Sequence, residues 1–140
     1  MKLNHFVCLL FILICFSSCK EESISSITCP KSVLIDNSLF DASSSDEFEY
    51  VDAQIENNCL VLTIRYGVGC SEVQTQLVGK NTISVESSSL QLKFVLTDHD
   101  DCEKLITEKF YFDLTPIQLK DKNRVSIKLE NWQQELIYQY

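Results

Sequence analysis

The sequence predicts an all-β domain over residues 29–140, an antiparallel β-sandwich or flattened barrel of about eight short strands, preceded by a signal peptide and a flexible tether. Three observations carry this expectation. Apolar residues recur with a period of two along stretch after stretch, as in strands that bury one face. Ser- and Asn-rich turns punctuate those stretches. No apolar stripe of useful length has a 3.6-residue period, so no gap offers a crossover helix and parallel neighbours are not expected.

The elements follow in chain order. Cys29-Pro30 open the domain, and 29–31 is the one place that suits a helical turn. Weak strands are expected at 32–35 and 48–56. Leu60, Leu62, Ile64 and Tyr66 then alternate with Val61, Thr63 and Arg65. Tyr66-Gly67-Val68-Gly69-Cys70 reads as a bulged turn, its glycines permitting unusual φ. A phosphate loop would require a helix next, whereas Ser71 to Val78 reads as strand. Weak strands at 73–78 and 82–86 are split by Gly79-Lys80-Asn81. Leu90, Leu92, Phe94 and Leu96 form one inward set, and Ile106, Phe110, Phe112 and Leu114 another. Pro116 marks a break. The segments 124–130 and 135–140 form a closing hairpin that turns at Asn131-Trp132.

The amino terminus has a different character. Lys2 precedes an unbroken apolar run from Phe6 to Phe16. As a helix that run spans only ~16 Å, about half of a bilayer's hydrocarbon core, which suits a signal peptide and not a membrane span. Ser17-Ser18-Cys19 then supplies small residues before a cysteine, and no Ala-x-Ala site accompanies them. The pattern resembles a lipobox, with Phe16 where Leu is usual, as in the looser lipoboxes of Bacteroidetes-type lipoproteins. Lys20-Glu21-Glu22 is similar to the export signal of the same group. This resemblance implies cleavage before Cys19, lipidation of Cys19, and attachment to the outer membrane with display on the cell surface. It divides the chain into a signal peptide (1–18), a lipidated tether (19–28) and the folded domain (29–140). A multiply acylated anchor exceeds the two-chain threshold for durable attachment.

Loss of the leader removes Lys2 and no acid, so a strongly acidic chain remains from one whose formal net charge is −8. That balance argues against nucleic acid as a partner. It leaves the membrane, through lipid, and an extracellular protein or glycan. Of seven cysteines, Cys8 and Cys15 leave with the leader and Cys19 takes the lipid. Cys29, Cys59, Cys70 and Cys102 remain, an even set in an exported domain and so two disulfides. Three connectivities are open. Cys70–Cys102 with Cys29–Cys59 is preferred, because Cys70 and Cys102 each follow a turn at one end of the sandwich. The rival zinc site lacks any Cys-x-x-Cys pair.

Chemistry concentrates at Asp98-His99-Asp100-Asp101-Cys102-Glu103. Asp98, Asp100, Asp101 and Glu103 offer hard oxygen ligands of the kind that hold Ca²⁺ at ~10⁻⁴–10⁻³ M outside cells. A solvated turn explains the same residues, since no glycine tightens the loop, and no cofactor is otherwise indicated. Trp132, Tyr138 and Tyr140 form either an aromatic platform or, preferably, core. A hydrolase would have only His99 as its base, without a nucleophile elbow, so no catalytic residue is assigned.

Leu60 to Cys70, His99 to Glu103 and Phe110 to Leu114 together resemble a group of small uncharacterised Bacteroidetes lipoproteins. Members often carry a histidine three residues after the first of these cysteines, where this chain has Val73. The resemblance implies a fold and an address without an activity. The expectation is therefore a non-enzymatic surface lipoprotein that binds a partner or serves envelope assembly, with a Ca²⁺ module as the alternative.

Overall fold

A computed structural model describes residues 27–68, 72–80, 89–99 and 104–140. Among the described residues nine strands form two sheets: β1 (Lys31–Ser32), β2 (Leu34–Ile35), β3 (Phe48–Glu56), β4 (Cys59–Val68), β5 (Gln74–Lys80), β6 (Ser89–Thr97), β7 (Lys104–Asp113), β8 (Arg124–Leu129) and β9 (Leu136–Gln139). Sheet I has the order β1-β7-β4-β3 and sheet II the order β2-β5-β6-β8-β9. The molecule is a β-sandwich, as the alternation implied.

The alternation places side chains as expected. Leu60, Leu62 and Ile64 on β4, Leu92 and Leu96 on β6, Phe112 on β7 and Ile127 on β8 are all buried between the sheets. Burying such a side chain contributes about 1.5–3 kcal/mol. Phe94 is the aromatic centre, with ring centroids 5.1 Å from Phe48, 5.5 Å from Phe110 and 5.9 Å from Phe112. Strand β3 looked weak for a local reason. Its register on β4 shifts between Tyr50 and Asp52, and this bulge turns Val51 outward. Inward positions therefore change parity, from Phe48 and Tyr50 to Ala53 and Ile55, which blurs a period of two. Asn57 closes the β3–β4 hairpin at φ 55°, a conformation that asparagine tolerates.

The expectation of purely antiparallel pairing is corrected. β1 runs parallel to β7, β2 to β5, and β6 to β8. No helix is required, because the second sheet supplies each crossover. Between β6 and β8, for instance, the chain crosses to sheet I as β7 and returns. The short stretch 31–35 feeds both sheets, switching at the buried Val33.

Further corrections are local. The segment 29–31 is not helical; the helix is α1 (Asn37–Ala42), whose Asp36 cap accepts a 2.9 Å hydrogen bond from the Leu39 N–H. Six residues are too few for a visible apolar stripe. Phe40 alone is buried from this helix, packed with Val78 and Val95 on the outer side of sheet II. Lys93 Nζ donates to the Phe40 carbonyl at 2.7 Å and lies 4.6 Å above its ring. Gly79 and Lys80 do not end a strand early but lie within β5. Gly67 and Val68, expected in a bulged turn, instead continue β4, paired with Leu105 and Lys104; Gly69 and Cys70 lie outside the described residues. Segment 82–86 lies outside the described residues. Pro116 sits in a 3-10 turn (Thr115–Ile117) directly after β7, and β8 and β9 form the closing hairpin with Asn131 at φ 63°. Among the described residues no helix is long and apolar enough to cross a membrane.

Candidate functional site

Two poles can be told apart along β4. At one, Cys59 pairs with Asp113 and is disulfide-bonded to Cys29, with the two Cα atoms 5.9 Å apart. This is one of the two bridges in the preferred connectivity. At the other, Val68 pairs with Lys104.

The chain enters β3 at this second pole by bridging the sheets. Strand β8 stops at Leu129, where the Glu130 N–H still donates to the Leu92 carbonyl of β6 at 2.8 Å. Further along β6, Ser45 and Asp46 take up its edge. The Asp46 N–H donates to the Leu96 carbonyl at 2.9 Å, and Ser45 Oγ accepts from the Leu96 N–H at 2.9 Å. Asp46 Oδ2 also accepts from the Asp98 N–H at 2.7 Å. Between this bridge and the β8–β9 turn lies an open groove of about 590 Å³, lined by Ser45–Tyr50 on one side and Asn131–Gln134 on the other.

Aromatic rings and acids share the groove. Tyr50 meets Trp132 edge-on at 5.9 Å and Phe48 at 5.0 Å. Tyr50 Oη and Trp132 Nε1 are buried with no hydrogen-bond partner among the described residues, an arrangement that costs about 1–3 kcal/mol per group. Burial pushes the Tyr50 hydroxyl far above its usual pKa. The Phe94 backbone opposes that shift without reaching the geometry of a full hydrogen bond, and the Glu130 charge adds to it. Asp46, Glu47 and Glu49 line the same wall, and among the described residues no lining side chain is basic. Glu49 pairs with Arg65 at 2.9 Å, but both side chains are well exposed, so the pair contributes at most about 1 kcal/mol.

The residues singled out in the sequence are distributed differently. Asp98 closes β6, and its charge, with that of Glu108, adds to the burial that raises the Tyr66 hydroxyl's pKa. His99 is exposed beside it. Asp100, Asp101, Cys102 and Glu103 lie outside the described residues, as do Cys70, Cys19, Lys20, Glu21 and Glu22. Among the described residues no group of three or more His, Cys, Asp or Glu side chains is placed to hold a metal ion. The aromatic trio does not make one platform. Trp132 joins the groove, whereas Tyr138 is fully buried, donating to Asn58 Oδ1 at 2.9 Å and accepting from Gln118 Nε2 at 2.7 Å. Tyr140 stacks on Tyr138 at 5.0 Å and ties down Leu119. The separation follows from geometry: Tyr138 and Tyr140 share the inward face of the last strand, and Trp132 sits in the turn before it. Sequence reading missed Ser45–Tyr50. Its signal was the acidic-aromatic run Asp46-Glu47-Phe48-Glu49-Tyr50, which the later bulge at Val51 disguised.

No protein-family model and no curated protein matches the sequence. The fold does match solved structures. A NigD-like immunity protein from Bacteroides caccae superposes with a TM-score of 0.60 at 11% identity, over 74% of this chain and 53% of that one. A protein of unknown function from Bacteroides vulgatus gives 0.55 at 12% identity, over 80% and 57%. A toxin-related protein from Parabacteroides distasonis gives 0.50 at 13%, over 79% and 60%. The chain thus spans a little over half the length of the structures it resembles. These likenesses establish the fold, a small β architecture shared with Bacteroides proteins.

Proposed function

We propose that this chain is a lipid-anchored, non-enzymatic binding protein of the outer membrane, facing outward and using the Trp132 groove as its binding surface. The observation that carries the reading is the placing of groove and tether at opposite poles. The tether enters at Cys29, fixed by disulfide to Cys59. The groove adjoins the start of β3, where Phe48 pairs with Tyr66 near the far end of β4. Ten-residue β4 separates the poles by ~30 Å. The stretch from Cys19 to Cys29 reaches at most ~35 Å when extended. A domain anchored at the Cys29 pole leaves the groove, at the opposite pole, free to face away from the bilayer. The lipobox-like Phe16-Ser17-Ser18-Cys19 and the Lys20-Glu21-Glu22 sequence support the anchor and the address. An immunity protein among the structural neighbours supports a role in binding.

Labelling with a clickable palmitate analogue in a Bacteroides host tests the anchor. The protein takes up label, and Cys19→Ala abolishes it; label retained in Cys19→Ala overturns the assignment. Protease added to intact cells tests the display. The wild-type domain is shaved, whereas replacing Lys20, Glu21 and Glu22 with alanine protects it.

A further inference from the structure

We infer that the groove beside Trp132 binds an extended, basic polypeptide segment carrying lysine or arginine at alternate positions. This deepens the binding reading above and rests on it.

Shape gives the first argument. The groove is an open trough of about 590 Å³ between a sheet edge and a turn, suited to a run of side chains. One wall is the beginning of β3, the last strand of sheet I. The outer edge of such a strand offers backbone donors and acceptors to an added extended chain, whose alternate side chains then fall on one face.

Charge selects the class. Glu47 and Glu49 are both exposed and stand two residues apart, ~6.6 Å along an extended backbone. That is also the spacing of alternate side chains in a bound strand. Among the described residues Glu47 makes no ion pair or hydrogen bond and no basic side chain lines the trough. The Glu49–Arg65 pair is exposed enough to exchange for a ligand cation.

The aromatic residues complete the fit. Tyr50, on the face of β3 opposite Glu49, and Trp132 offer rings against which the aliphatic stems and intervening side chains of a bound strand can pack. Asn131, Gln133 and Gln134 on the facing wall supply neutral amides for a peptide backbone. A neutral glycan would also use rings and amides, but it would leave the carboxylates uncompensated.

Trp132 is the only tryptophan, so its emission reports on the groove. The full-length protein is titrated with the hexapeptide Lys-Thr-Lys-Thr-Lys-Thr, its Gln-for-Lys counterpart and maltohexaose. The lysine peptide produces a saturable change at millimolar concentration or below. Binding weakens about ten-fold or more when salt rises from about 50 to about 500 mM, and by a similar factor in Glu47→Gln/Glu49→Gln. Both carboxylates are exposed and the Glu49–Arg65 pair contributes little, so the double variant still melts cooperatively, and a lost response from a cooperatively melting variant is not misfolding. Equal binding of the glutamine peptide overturns the basic class. A response to maltohexaose alone also overturns it, while leaving the groove as the binding surface. No response to any probe overturns the inference and removes the groove from the proposed function, leaving the anchor to its own labelling test.

Discussion

The Tyr66 hydroxyl donates a 2.7 Å hydrogen bond to the Glu108 carboxylate across the β4–β7 ladder. Tyr66 itself is buried, whereas Glu108 is exposed on β7, in register with Ile64. Burial and this acceptor both hold the phenol in its protonated form, well above the ordinary value near 10.

A pH dependence follows from that shift. Below pH 10 the phenol is protonated both folded and unfolded, and its contribution is complete. Above pH 10 the unfolded chain ionises while the folded one does not, so stability falls as pH rises. Tyr66→Phe should cost about 1–2 kcal/mol at neutral pH and flatten part of the alkaline decline. Melting curves near neutrality and at strongly alkaline pH, for both proteins, measure each effect. An equally steep alkaline loss in the variant would show that other tyrosines govern it, with Tyr50 and Tyr138 raised in the same direction.

Gly79 pairs with Ile35, whose Cδ1 occupies the space that a Cβ at position 79 would need, and Leu92 Cδ2 would stand 3.0 Å away. Gly79→Ala should therefore destabilise by about 1 kcal/mol, since overpacking outweighs the entropy gained from a stiffer unfolded chain. Ile35→Val removes the offending methyl and should recover most of the loss. A double-mutant cycle that gave no coupling between the two would refute the close-approach explanation.

Cys70 and Cys102 each lie two residues along the sequence from the last described rung of β4 and β7, Val68 against Lys104. With Cys29–Cys59 formed, the remaining bridge is expected between them. Non-reducing peptide mapping of the secreted form should recover a Cys70–Cys102 peptide, and its reduction should lower stability by about 2–4 kcal/mol. A free thiol at either position would defeat the two-disulfide framework.

Calcium distinguishes the loop Asp98–Glu103 from a true ion site. The binding reading expects no heat and no melting shift at millimolar Ca²⁺. A saturable rise in melting temperature that Asp98→Asn abolishes would assign the loop as a weak extracellular metal module.

The inward residues of β4, β6, β7 and β8 were legible in the sequence, because alternation records which face of a strand meets the core. Leu60 to Tyr66 and Leu90 to Leu96 needed no knowledge of their neighbours. The two-residue register of a strand is local physics. Partners are another matter. Nothing near Leu90 announces that it lies parallel to Ile127, since the crossover runs through a strand of the opposite sheet. The same non-local geometry made the groove. Ser45–Tyr50 and Asn131–Gln134 are far apart in sequence and meet because β8 stops short of the end of β6, whose edge Asp46 then takes up. Periodicity states how a segment divides inside from outside. The folding of distant segments against one another decides which of them share an edge, and the candidate site lies along such an edge.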